Sequence, residues 1–141
     1  MIRSMKKHLV TGMTLIGMTS IIYYIIYNSS YLNIDIINKT SSIINGLRIT
    51  SNLLEKDIII SAIEPEEKNR IQINSLTEFK KGNGSMLLRY ELENKKAREV
   101  ELVKNIKDKY AGKINIIIKE DEIGRINICI RESLGLHSIL N

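Results

Sequence analysis

Asn33-Ile34-Asp35-Ile36-Ile37-Asn38-Lys39-Thr40-Ser41-Ser42-Ile43-Ile44-Asn45-Gly46-Leu47-Arg48-Ile49-Thr50-Ser51-Asn52-Leu53-Leu54-Glu55-Lys56 is the stretch on which the fold turns. Ile36, Ile37, Thr40, Ile43, Ile44, Leu47, Ser51 and Leu54 fall three and four apart, the spacing of one helix face. Asn38, Lys39, Asn45, Arg48, Asn52, Glu55 and Lys56 fill the other side. The spacing predicts a helix from about Asn33 to Lys56, in which Gly46 costs about 1 kcal/mol relative to alanine. Isoleucine dominates the apolar content of the chain. Codon bias alone can produce such an excess, so it is given no weight as a strand signal.

On the N-terminal side of this stretch, Leu9 to Ile34 carries no Asp, Glu, Lys or Arg. At about 1.5 Å per residue, a helix over Leu9–Tyr27 is long enough for a hydrocarbon core of roughly 30 Å. Tyr23, Tyr24, Tyr27 and Tyr31 crowd its far end, where amphipathic rings favour a membrane interface, and Lys6 and Lys7 precede it. These features predict a single-pass inner-membrane protein with a cytoplasmic N-terminus and an extracytoplasmic C-terminal part. The helix over 33–56 then continues the span, bent near Asn28-Ser29-Ser30.

The formal charge is +5, and Arg3, Lys6 and Lys7 supply three of those charges before residue 12. Farther along, acids and bases are interspersed and aromatic residues are scarce, which argues against a nucleic-acid partner. Cys129 is the sole cysteine, so no intramolecular disulfide exists. On a strand, such a residue most often acts as a small buried hydrophobe.

Toward the C-terminus, Glu64-Pro65-Glu66-Glu67 breaks the chain at its one proline. Ile71 and Ile73 alternate, as do Met86, Leu88 and Tyr90, around the turn cluster Lys81-Gly82-Asn83-Gly84; an antiparallel hairpin is expected from the two segments. Residues 94–110 suit either a helix or a short strand, and composition tips the reading to helix. Ile114, Ile116 and Ile118 form a second hairpin with Ile126, Ile128 and Ile130 across Glu120-Asp121-Glu122-Ile123-Gly124. The fold class read from these patterns is α+β: a long membrane-spanning N-terminal helix followed by a small antiparallel sheet.

Lys6-Lys7 followed by Gly12-Met13-Thr14-Leu15-Ile16 resembles the cleavage region of type IV prepilins and type II secretion pseudopilins. Leu47-Arg48-Ile49-Thr50-Ser51-Asn52-Leu53-Leu54-Glu55-Lys56-Asp57-Ile58-Ile59-Ile60-Ser61-Ala62 is similar to the end of the long helix in J-type minor pseudopilins and competence-pilus relatives. The resemblance implies a pilin-like chain with a leader over 1–12, a helix over 13–56 and a sheet domain over 57–141. It implies cleavage by prepilin peptidase between Gly12 and Met13, with N-methylation of Met13. It departs from the family at Gly17, where glutamate is usual, and this implies a subunit at or near the tip. The implied function is that of a structural subunit assembled with other pilin or pseudopilin subunits through the N-terminal helix. A second resemblance depends on a helix over 94–110. Residues 33–133 then look like the ferredoxin-like periplasmic domain of a bitopic assembly-platform protein.

No residue set supports catalysis. His8 and His137 lie near opposite ends of the chain, and there is no phosphate-cradling glycine loop or nucleophile elbow. No cofactor, metal or small-molecule substrate is expected. The acidic turn Glu120-Asp121-Glu122 and the cluster Glu64-Glu66-Glu67 read as solvated tips, and Asp57 as a structural residue.

Overall fold

The computed structural model describes residues 14, 16–24, 30–91, 97–107 and 110–134. Among the described residues eight strands run in chain order: β1 (Tyr31–Lys39), β2 (Arg48–Ser51), β3 (Ile58–Ile59), β4 (Lys68–Asn74), β5 (Asn83–Glu91), β6 (Ala97–Lys107), β7 (Gly112–Glu120) and β8 (Ile126–Leu134). They form two four-stranded sheets, β4-β1-β7-β8 and β3-β2-β5-β6. Pairing is antiparallel except between β1 and β7, which run parallel. One cluster of buried side chains draws on both sheets. Leu32, Ile34, Ile36, Ile114 and Ile116 come from the first, and Ile49, Met86, Leu88 and Ile106 from the second. The molecule is therefore a sandwich with one inner core and two outer faces.

The helix expected over 33–56 is absent, and the α+β reading is corrected to a fold built of strands. Three physical reasons stand out. First, Leu32, Ile34 and Ile36 alternate with Asn33, Asp35 and Ile37, and β-branched isoleucine loses side-chain freedom in a helix while packing well on a pleated surface. Second, Asn38 diverts the backbone. Its Oδ1 accepts from Thr40 N at 2.9 Å, and its Nδ2 donates to Ser42 O at 2.8 Å and to Ile63 O at 2.9 Å. Side-chain bonds of this kind compete with helical ones. Third, Gly46 has φ +71°, a left-handed conformation that turns the chain into β2. The isoleucine excess was thus a strand signal after all.

Residues 16–24 are helical. Among the described residues no helix is long and apolar enough to cross a membrane. The expected single-pass placement in the inner membrane is corrected accordingly.

Two expectations about pairing also change. Residues 97–107 are strand β6, bonded along β5, so the helix over 94–110 does not form, and the ferredoxin-like arrangement that depends on it falls with it. β4 and β5, expected as a hairpin, lie in different sheets: a one-turn helix, Ser75–Glu78, and the bridge between Leu54 and Phe79 carry the chain across. The β7–β8 hairpin forms with Ile116 opposite Ile130 and Ile118 opposite Ile128, in line with the sequence pattern.

Candidate functional site

Alternation along β1 sends Asp35 to the outer face of its sheet, where an acid would ordinarily meet water. Here its side chain is 0% exposed, covered by Lys68, Arg70 and Lys113. Register explains the gathering. Arg70 stands directly opposite Asp35 on β4, Lys113 stands opposite neighbouring Asn33 on β7, and Lys68 lies one pleat from Arg70. Arg70 Nε donates to Oδ1 at 2.7 Å and Nη2 to Oδ2 at 3.3 Å. Lys68 Nζ and Lys113 Nζ lie 2.8 Å and 3.0 Å from that same Oδ2. The three cations remain about half exposed.

The Arg70 hydrogen bonds hold the Asp35 carboxyl well below the usual carboxylate range, with Lys68 and Lys113 adding to the effect and burial opposing it. Arg70 is held protonated in return by the same carboxylate. Asp35 is therefore a fixed anion at neutral pH, unsuited to passing protons. What it can do is hold three cation heads together that would otherwise repel, and so leave an excess of positive charge facing solvent.

The rest of this face extends the same character. Across β4-β1-β7-β8, one row reads Arg70, Asp35, Asn115, Arg131 and the next reads Lys68, Ile37, Ile117, Cys129, with Lys119 beyond. Ile37, Ile117 and Cys129 are half-buried, so Cys129 lies at the surface of the edge strand rather than in the core. Asp35 is the one carboxylate among the outward positions of these rows. The outer face of β3-β2-β5-β6 differs, because three of its cations each lie against an acid. Arg89 bonds Glu99, Arg48 lies 3.8 Å from Asp57, and Lys104 lies 3.6 Å from Glu101.

A cleft of about 570 Å³ opens beside that second face, lined among others by Asn52, Asp57, Ser85 and Glu101. Its polar groups serve the fold. Asn52 Oδ1 accepts from Ser85 N at 3.2 Å, and Ser51 Oγ accepts from Leu53 N at 3.2 Å.

Gly12 and Met13, the expected processing and methylation site, lie outside the described residues, as do His8 and His137. Asp57 follows a strand and a turn rather than closing a helix. At the β7–β8 tip, Asp121 accepts from Arg125 N at 2.8 Å, Ile123 N at 3.1 Å and Arg125 Nε at 2.9 Å. The backbone bond from Arg125 leads in keeping its carboxyl below the ordinary range, and its oxygens are committed to the turn. Glu67 accepts from Glu64 N, and Glu66 pairs with Lys39. Among the described residues no group of three or more His, Cys, Asp or Glu is placed to hold a metal ion.

Sequence reasoning missed the Asp35 cluster. The available signal was Asn33-Ile34-Asp35-Ile36, an acid alternating with isoleucine, together with Lys68-Asn69-Arg70 and a lysine opening the Ile114 run.

No family model and no curated protein matches the chain. The pilus, pseudopilin and secretion terms suggested by the N-terminal motif are corrected in that light: no matched family stands behind them, and the spanning helix they presuppose is absent from the described residues. Among solved structures, the chain is similar to the NMR structure of a protein from Eubacterium rectale, at 14% identity and a TM-score of 0.48, over 74% of this chain and 91% of that one.

Proposed function

We propose that the chain is a non-catalytic structural subunit that assembles with other proteins through the outer face of its β4-β1-β7-β8 sheet. The observation supporting this is the charge of that face: Lys68, Arg70, Lys113, Lys119 and Arg131 gather where Asp35 is the one carboxylate of their rows and Glu66 answers only Lys39, whereas on the opposite face Arg89, Arg48 and Lys104 each lie against an acid. A fixed field of one sign steers a partner of the other sign and suppresses wrong encounters. Because Asp35 already orders three of the cations, less side-chain freedom is lost when a partner docks.

The subunit role is the coarser part of the sequence expectation. Placement in a pilus or pseudopilus depended on a helical stalk over 33–56, which folds as strands, and forms no part of the proposal.

Amine-reactive cross-linking of the full chain in the cells that produce it tests the reading. Links to other proteins are expected at Lys68, Lys113 and Lys119. Links concentrated at Lys104 and Lys107, on the second sheet, overturn it.

A further inference from the structure

The identity of the partner's contact surface can be taken further, resting on the assembly role just proposed. We infer that the face receives an acidic polypeptide segment, and that one of its carboxylates seats on the Lys68–Arg70–Lys113 heads above Asp35.

Both lysine heads touch the same oxygen, Lys68 at 2.8 Å and Lys113 at 3.0 Å, and Arg70 reaches it as well. Three cations thus converge where one buried anion compensates only one of them. Each lysine ammonium carries three protons and spends one on Asp35, so donors remain for a second acceptor on the solvent side. A carboxylate arriving there forms charge-assisted bonds with groups already in position.

Arg70 and Arg131 occupy the two edge strands of one row, three strand spacings or about 14 Å apart. In an extended peptide, residues four apart on one side lie about 13 Å from each other. An acidic segment crossing the strands can therefore place one carboxylate on the triad and another at Arg131.

The neighbouring row favours polypeptide over nucleic acid. The row beside the triad is apolar at Ile37, Ile117 and Cys129, and it offers no ring on which a base can stack. Apolar side chains of a peptide can cover it.

Backbone amide NMR of the full chain, titrated at physiological ionic strength with hexaglutamate and separately with an oligothymidylate, tests the inference. Hexaglutamate is expected to shift residues of β4, β1 and β7 around Lys68, Arg70 and Lys113. Lys113→Ala weakens its binding about fivefold, the effect of losing one half-exposed charge contact, while Lys107→Ala leaves it unchanged. Lys113→Ala retains Lys68 and Arg70 on Asp35, so the fold is preserved. Shifts produced only by oligothymidylate overturn the polypeptide assignment, as does hexaglutamate binding that Lys113→Ala leaves unaltered. Either result leaves the cross-linking pattern at Lys68, Lys113 and Lys119 to decide the assembly role independently.

Discussion

Asp35 is a carboxylate whose proton affinity is lower in the folded chain than in the unfolded one. Between the two values the unfolded state binds more protons, so acid favours unfolding. The stability contributed by Asp35 is complete above about pH 5 and falls as pH drops through and below the ordinary carboxylate value of about 3.9. Thermal unfolding midpoints should show this. Asp35→Asn lowers the midpoint at neutral pH by the equivalent of about 1–3 kcal/mol, and the gap to the parent chain closes toward acid. A gap independent of pH would contradict the account. A second residue-scale feature is Gly84, where a Cβ would collide with Asn52 Oδ1 and sit 2.7 Å from Leu53 Cγ. Gly84→Ala is expected to cost about 1–3 kcal/mol in urea unfolding. The cost should shrink in an Asn52→Ala background, because the two positions share one contact. Of this scale, the sequence shows only the residue types. Asp35, Lys68, Arg70 and Lys113 come from three separate strands, and their meeting depends on register, which no local pattern records.

At the scale of elements, legibility tracked how local the determining interaction is. The β7–β8 hairpin could be read because two alternating isoleucine triplets flank a turn whose own Asp121 closes it. Strand β1 could not, since the doublets Ile36-Ile37 and Ile43-Ile44 satisfy a period of 3.6 as readily as one of 2. Asn38 and Gly46 decided between them by bending the backbone. Residues 97–107 were ambiguous for the same reason, and pairing along β5 resolved them. Depth differs between neighbouring strands: Ile116 on β7 is fully buried, whereas Ile128 on edge strand β8 only packs against the core. Ile116→Ala should cost about 2–5 kcal/mol in denaturant unfolding, and Ile128→Ala distinctly less. Equal costs would mean that the edge is covered more fully than described.

For the whole molecule, the core joins both sheets, and its inward side chains leave two outer faces of different electrical character. The outer sheet faces were illegible in a sequence read as a long N-terminal helix, two hairpins and a helix between them, because a charge map along the chain shows acids and bases interspersed. Only folding sorts them, concentrating Lys68, Arg70, Lys113, Lys119 and Arg131 on one side. The parallel contact of β1 with β7 has a consequence for how the chain is made. Synthesis releases β1 before any of its sheet neighbours, and antiparallel β4 follows within about thirty residues. Its other flank stays open until residues 112–120 leave the ribosome, and pairing between such distant segments is slow. Throughout that interval β1 presents an isoleucine-rich edge to whatever is nearby, so the nascent chain is most open to mispairing with its siblings on a crowded polysome.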